Sequence, residues 1–282
     1  MNSLLYHLLL GVLQGATEFL PISSSGHLVA AQKLLSIESP GILLEVSLHF
    51  GTLLAILIVF RTEIWQIVRE TCLGAWLMLR GSGRQEALER APRLPMGVAI
   101  ILGTIPAGLA GIFLRDSIDA LFESDLRVTG VFLMITGALL LAARLAPRGE
   151  VERVGPLRGV LVGMAQAFAL LPGISRSGST IVTGYFLGIR RPAAARFSFL
   201  LAIPALAGAM VLEGGRALGD AAAGTASVEN PAALLAGTGM AAIVGWICLV
   251  FLLRVVKKGK LHWFAAYCLP AGLALILYGT FT

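Results

Sequence analysis

Two stretches of the sequence decide the fold: QGATEFLPISSSGH at residues 14–27 and QAFALLPGISRSGST at residues 166–180. Corresponding positions lie 152 residues apart, as Ser23 and Ser175 do. Each stretch is an apolar run, then a proline, then a serine- and glycine-rich tract that begins a new helix. Helices broken in this way at membrane depth are typical of sites that bind charged groups, and phosphate is the leading candidate.

The composition is that of an integral membrane protein, with 57% hydrophobic residues, 13% charged residues and a mean hydropathy of +0.85. Six apolar stretches are long enough to cross a bilayer, namely 42–60, 96–114, 128–146, 193–213, 232–253 and 262–281. Two further stretches, 3–36 and 157–191, are interrupted by the two motifs. The sequence therefore predicts an all-α membrane protein with about six transmembrane helices and two re-entrant helix hairpins.

The distribution of Lys and Arg predicts the topology. Seventeen of the 22 fall on one side of the predicted arrangement and four on the other, while Arg176 lies inside a motif. The side with more Lys and Arg holds the predicted loop 61–95, including its charged linker 80–93. This side is expected to be cytoplasmic, so both termini should lie outside. The net charge of +6 could suggest a nucleic-acid partner, but the basic residues flank the predicted membrane spans. We therefore expect no nucleic-acid partner.

With this topology the first hairpin enters from outside and the second from the cytoplasm. We therefore expect a single membrane domain, residues 1–282, with inverted repeats at roughly 1–115 and 157–282 and a linker at 116–156. The hairpin tips should meet near the membrane midplane. The loop at 115–127 should lie on the outer face, near the opening of the site.

The first motif places Gln14 and Glu18 four residues apart, on one face of a helix. A carboxylate at membrane depth is a candidate functional group, with a structural hydrogen bond to the broken backbone as the alternative. Ser23, Ser24 and Ser25, followed by His27, place hydroxyls and an imidazole at a helix N-terminus, which favours anions. Ser24 and His27 are spaced to share a face, as a nucleophile and its base would.

The second motif carries Arg176, whose planar guanidinium suits phosphate, flanked by the hydroxyls of Ser175, Ser177 and Thr180. A buried ion pair between Arg176 and Glu18 across the repeats is the alternative, and it is compatible with function.

Glu45 lies one turn inside the outer end of the first span, with His49 one turn further along the same face. Glu45 is a candidate for joining Glu18 in holding a divalent cation or in ordering the site.

The sequence resembles the bacterial undecaprenyl-diphosphate phosphatases of the bacitracin-resistance type. The resemblance rests on residues 14–21 with 23–27 and on residues 172–178, and the length and span pattern extend it over essentially the whole chain. One position departs from the common pattern, because Gln14 stands where many members have a glutamate. A glutamine cannot act as a general base, so catalysis is not assigned to position 14.

The resemblance implies hydrolysis of undecaprenyl diphosphate to undecaprenyl phosphate and inorganic phosphate, which recycles the lipid carrier for cell-wall synthesis. It implies that Glu18, Ser24, His27 and Arg176 are catalytic, with Thr180 and Glu45 in support. It also implies a divalent cation, Mg²⁺ or Ca²⁺, which we expect Glu18 to hold. We expect Gln14, Ser23, Ser25, Ser175, Ser177, Thr180 and Glu45 to bind substrate.

The expected partners are a long-chain prenyl diphosphate lipid, the bilayer and a second copy of the chain in a homodimer. The expected location is the bacterial inner membrane, with the site facing the periplasm. Two mechanisms stay open: attack by Ser24 with His27 as base, or attack by a water that the metal or Glu18 activates. A transporter or flippase of a phosphorylated polyprenyl lipid is the rival function, because inverted repeats of broken helices are typical of transporters.

Overall fold

The computed structural model describes residues 3–34, 42–81, 83–123, 125–222 and 230–281. This part of the chain is helical throughout, apart from short connections and an isolated bridge between Val151 and Ile189. The helices in chain order are α1 (Ser3–Phe19), α2 (Ser24–Leu34), α3 (Ile42–Leu79), α4 (Arg84–Arg90), α5 (Leu94–Phe113), α6 (Arg115–Glu123), α7 (Leu126–Ala142), α8 (Pro156–Phe168), α9 (Arg176–Phe186), α10 (Arg191–Ala222), α11 (Pro231–Lys257) and α12 (Ala265–Phe281). A short 3-10 helix, Leu261–Phe264, precedes α12.

Five helices in the described residues are long and apolar enough to cross a membrane: α3, α5, α10, α11, and α12 with its preceding 3-10 turn. A sixth crossing results if α6 and α7, which are bent by 104° relative to each other, form one broken span. The all-α membrane fold with about six spans is therefore confirmed. The large apolar side chains that remain exposed, such as Trp65, Phe113 and Leu235, are those that a bilayer would cover.

The first spanning helix is longer than predicted. α3 has 38 residues and is therefore about 57 Å long, nearly twice the thickness of the hydrocarbon core. The prediction of a loop from residue 61 was wrong, because residues 61–79 contain no proline and continue the helix. The connections at 80–93 and 115–127 were also predicted as loops, yet they contain the short helices α4 and α6.

Helices of the two halves pack against each other through small residues. Gly11 and Gly15 of α1 face the backbone of α11, at Gly237 and Ala241, with no room for a side-chain carbon. Gly163 of α8 lies equally close to α5, and α7 packs on α12 in the same manner. Such contacts let helices approach closely where the bilayer supplies no hydrophobic driving force between them.

The two hairpins share their order of elements. α2 begins at Ser24 and α9 at Arg176, and they end at Leu34 and Phe186, so both boundaries are 152 residues apart. Each short helix follows a broken partner helix, α1 in the first half and α8 in the second. The opposite orientation of the halves, their boundaries and the single domain stay predictions.

The centre of the core joins the first hairpin to the long helices. Phe19, at the end of α1, packs edge-on against Phe199 of α10 with ring centroids 5.8 Å apart. Phe60 of α3 stacks on the same ring at 6.3 Å. All three rings are buried, so they fix the end of α1, which carries Glu18, against the long helices α3 and α10.

Candidate active site

Each break contains a residue in the left-handed backbone region and a serine that accepts from the backbone N–H three residues later. After Pro21, Ser23 adopts a left-handed backbone conformation with φ 69°, and its hydroxyl accepts a hydrogen bond from the Gly26 backbone N–H at 3.3 Å. In the second motif Gly173 has φ +100°, and Ser175 caps α9 by accepting from the Gly178 backbone N–H at 3.1 Å. The preceding helices end before each proline, at Phe19 and Phe168, and the serines begin the next helices, as their sequence pattern predicts.

The two hairpin tips touch. A Cβ atom placed on Gly26 would lie 3.0 Å from the Cα of Gly173, and one placed on Gly178 would lie 3.4 Å from Pro21. The absence of side chains at these glycines lets the tips approach to backbone contact. The predicted meeting of the tips is therefore observed, and it brings together residues about 150 positions apart in the chain.

A buried ion pair joins the two motifs. Arg176 Nη2 donates to Glu18 Oε1 at 2.5 Å, and the two side chains are 16% and 6% exposed. The second terminal nitrogen of Arg176, Nη1, is buried and has no hydrogen-bond partner among the described residues. The guanidinium thus binds Glu18 through Nη2 and leaves Nη1 available to an anion.

The other carboxylate oxygen of Glu18 gathers the remaining polar groups of the first motif. Ser24 Oγ donates to Glu18 Oε2 at 2.9 Å, and Gln14 Nε2 donates to the same atom at 3.1 Å. The buried amide oxygen of Gln14 has no partner in the described part of the chain. Glu18 is therefore the hub of the site, because it contacts Gln14, Ser24 and Arg176 at once.

His27 makes contacts other than the expected one. Its Nδ1 lies 2.7 Å from the backbone oxygen of Ser23, and its Nε2 lies 2.6 Å from the hydroxyl of Tyr267 on α12. Ser24, the predicted partner of His27, donates its hydroxyl proton to Glu18 instead. The geometry therefore favours Glu18 as the acceptor of the Ser24 proton, while the roles of both residues stay predictions.

The hydroxyls of the serine tracts mostly contact one another or nearby backbone groups. Ser23 Oγ and Ser25 Oγ are 3.3 Å apart, as are Ser175 Oγ and Ser177 Oγ. Thr180 Oγ1 donates to the backbone oxygen of Arg176, one turn earlier in α9, at 2.8 Å. The same atom lies 2.6 Å from Ser198 Oγ on α10. Thr180 is thus placed to brace α9 behind the arginine.

The second tip is held by a residue that sequence reasoning missed. Thr136 of α7 donates its hydroxyl to the Gly173 backbone oxygen at 2.9 Å and accepts from the Ser175 backbone N–H at 3.0 Å. Thr136 lies in an apolar helix, and a threonine there carries no recognisable motif. Its distance of nearly 40 residues from the tip left no signal in the sequence that could have identified it.

Glu45 lies near the site but not in the cluster. It is half-buried at the start of α3, and its backbone oxygen lies 2.9 Å from Nδ1 of His49. His49 is within electrostatic range of both Glu18 and Glu45. His49 is thus a common neighbour of the two predicted carboxylates.

The residues around Glu18 could bind a divalent cation only together with oxygen ligands from a substrate. The described residues contain no group of three or more His, Cys, Asp and Glu side chains that could hold a metal by themselves. Glu18 and the unpartnered amide oxygen of Gln14 supply hard oxygen ligands. Mg²⁺ is commonly bound by one or two protein oxygens together with phosphate oxygens of the substrate, which is the set available here.

These features define a multi-pass helical membrane protein with a polar site for an anionic group, buried where two broken helices meet. The family model described as bacitracin resistance protein BacA matches residues 7–274. The chain belongs to this family.

Relatives match over nearly their full length. A protein of Thermomicrobium roseum named undecaprenyl-diphosphatase is 44% identical over 281 residues, with 96% of each chain covered. A protein with the same name from Desulforapulum autotrophicum is 41% identical, with 96% of each chain covered. One from Korarchaeum cryptofilum is 37% identical, with 95% of this chain and 97% of the relative covered. The family predicted from the two motifs is therefore confirmed.

Proposed function

We propose that this protein is a membrane phosphatase that hydrolyses undecaprenyl diphosphate to undecaprenyl phosphate and inorganic phosphate. The names of the relatives support this activity. The observation that carries it in this chain is the buried cluster in which Glu18 contacts both Arg176 and Ser24. At one point, a carboxylate can accept a proton, a guanidinium can stabilise phosphate charge and a hydroxyl can attack phosphorus, which suits phosphoryl transfer.

The substrate would lie with its prenyl chain in the bilayer and its diphosphate at the hairpin tips. Arg176 would hold a phosphate through Nη1, and through Nη2 as well once the anion competes with Glu18. The N-termini of α2 and α9 add the positive ends of two helix dipoles at the same place. We assign Gln14, Ser23, Ser25, Ser175, Ser177, Thr180 and Glu45 to binding the phosphates or to shaping the site that does so.

In the pathway that we favour, Ser24 Oγ forms a bond to the terminal phosphorus, and the bond from that phosphorus to the bridging oxygen breaks. Undecaprenyl phosphate leaves with the bridging oxygen, and the Ser24 proton passes to Glu18 or, after a rearrangement of contacts, to His27. A water then hydrolyses the phosphoserine and releases inorganic phosphate. In the alternative pathway, Glu18 takes a proton from a water that attacks the same phosphorus directly.

A divalent cation, Mg²⁺ or Ca²⁺, would be held by Glu18 and the amide oxygen of Gln14 together with the diphosphate. When bound, it neutralises phosphate charge and polarises the bond that breaks. Removing divalent cations with a chelator should therefore abolish phosphate release, and adding Mg²⁺ or Ca²⁺ should restore it. Full activity after exhaustive chelation would contradict this assignment.

The location follows from the same reasoning. The apolar helices make the chain a multi-pass membrane protein. We propose that it lies in the bacterial inner membrane with both termini outside, that its site faces the periplasm and that it assembles as a homodimer.

Phosphate release from undecaprenyl diphosphate by the purified protein in detergent tests the enzymatic function. The wild-type chain should release one phosphate per lipid, and Arg176→Ala should release almost none. The rival function is transport of a phosphorylated polyprenyl lipid. Lipid transfer across reconstituted vesicles without phosphate release would favour the transporter and overturn the phosphatase.

A further inference from the structure

We infer that Tyr267 is the positioning residue for His27, holding Nε2 and the plane of the imidazole in place while the Ser23 carbonyl sets the tautomer. The inference rests on the proposed function, in which His27 is the second acceptor of the Ser24 proton beside Glu18. Tyr267 is the third residue of α12, and it lies 240 residues from His27 in the chain. Neither motif includes it, and α12 contributes no other group to the polar cluster described above.

The contacts of His27 determine which ring nitrogen carries the proton. Nδ1 lies 2.7 Å from the backbone oxygen of Ser23. A carbonyl oxygen can only accept, so Nδ1 must carry a hydrogen. In the neutral ring Nε2 is then the unprotonated atom, and the Tyr267 hydroxyl donates to it at 2.6 Å. The Ser23 carbonyl therefore leaves Nε2 as the only nitrogen of His27 that can take up a proton.

The tyrosine also orients the ring. The two ring centroids are 5.6 Å apart, and the ring planes differ by 14°, so the phenol ring lies nearly parallel to the imidazole. The next residue, Cys268, is fully buried and donates its thiol to the backbone oxygen of Pro21 at 3.5 Å. The start of α12 is thus anchored on the first hairpin, which places the tyrosine hydroxyl at a defined point beside Nε2.

This arrangement keeps the contact in both protonation states. When Nε2 gains a proton, its N–H can donate to the phenol oxygen, which is an acceptor as well as a donor. The imidazole therefore does not need to turn, and the Nδ1–H bond to Ser23 stays in place. A histidine held in this way offers one proton-exchanging atom at a fixed position, which is the requirement for a general acid or base.

Tyr267→Phe tests the inference, because it removes the hydroxyl and keeps the ring. Tyr278→Phe on the same helix is the matched control, since it makes the same chemical change away from the hairpin tips. We expect Tyr267→Phe to lower kcat about tenfold, the effect of losing one hydrogen bond to a reacting group, with KM within about twofold. The limb of the pH–rate profile that reports His27 should shift, and Tyr278→Phe should change neither quantity.

A second measurement does not depend on turnover. ¹⁵N spectra of the histidine-labelled protein should show His27 as the Nδ1–H tautomer, and Tyr267→Phe should move its titration midpoint. Identical kcat, pH–rate profile and His27 spectrum in Tyr267→Phe and the wild type would overturn the role of Tyr267. Absence of phosphate release from the wild type would instead overturn the proposed function. The spectrum would still show whether Tyr267 positions His27.

Discussion

At the scale of single residues, the site depends on Glu18, which accepts hydrogen bonds from Gln14, Ser24 and Arg176. Arg176 and Ser24 bind different oxygens of this carboxylate. Removing one partner of a buried ion pair leaves an uncompensated charge and typically costs about 3–5 kcal/mol of stability. Substitutions here therefore need a measure of folding beside the measure of activity.

Arg176→Lys should be nearly as damaging as Arg176→Ala. Lysine keeps the charge and can replace the ion pair with Glu18, but it loses the fork through which Nη1 and Nη2 would bind two phosphate oxygens. We expect phosphate release to fall by about 10²-fold or more in both variants, the scale of losing a positioned donor. The matched control is Arg190→Lys at an exposed ion pair with Glu152, which should stay active. Near-normal turnover of Arg176→Lys would mean that Arg176 only balances charge.

Ser24→Ala separates the two pathways. If Ser24 is the nucleophile, the alanine variant should lose all turnover while still binding substrate, because one hydroxyl supplies few ground-state contacts. If a water attacks, Ser24→Ala should lose about 10²–10³-fold, as on removal of one oxyanion donor, and Glu18→Gln should be the inactive variant. Single-turnover assays and lipid-binding measurements on both variants decide between them. A Ser24→Ala enzyme within about tenfold of the wild type would rule out serine attack.

At the scale of elements, the long helices position the two short ones. α7 holds the tip of the second hairpin through Thr136, and α12 contacts the first hairpin through Tyr267 and Cys268. Since α7 and α12 also pack tightly on each other, one helix pair is in contact with both tips. The distance between Arg176 and Glu18 is thereby set by elements that carry none of the motif.

Thr136→Val should destabilise the second tip. Valine has nearly the same shape as threonine but leaves the Gly173 carbonyl and the Ser175 N–H buried and unpaired, at a cost of about 1–3 kcal/mol each. We expect a lower melting temperature in detergent and weaker phosphate release. Thr104→Val is the control, because that hydroxyl donates only within its own helix, to Ile100. Equal melting temperatures and activities for the two variants would show that Thr136 does not hold the tip.

At the scale of the whole molecule, the prediction concerns the face to which the site opens. The excess of Lys and Arg on one side predicts that the N-terminal hairpin and Glu45 lie on the outer side of the membrane. Cysteines introduced at positions 24 and 176, with Cys72, Cys248 and Cys268 replaced, should therefore react with a membrane-impermeant reagent added outside. Labelling only by reagent added on the cytoplasmic side would show that the predicted topology is inverted.

The sequence by itself determined the membrane class, the number of spans and the two broken helices, because these depend on local composition and on the chemistry of proline, serine and glycine. It also identified Glu18 and Arg176, since a charge at membrane depth stands out against an apolar background. Only the tertiary structure decided which groups meet. Glu18 is paired with Arg176, and His27 with Tyr267, by contacts between elements far apart in the chain. Within the first hairpin, the break between α1 and α2 turns Ser24 back onto Glu18. Thr136 and Tyr267 lie in ordinary apolar helices, and helix packing alone places their hydroxyls at the hairpins.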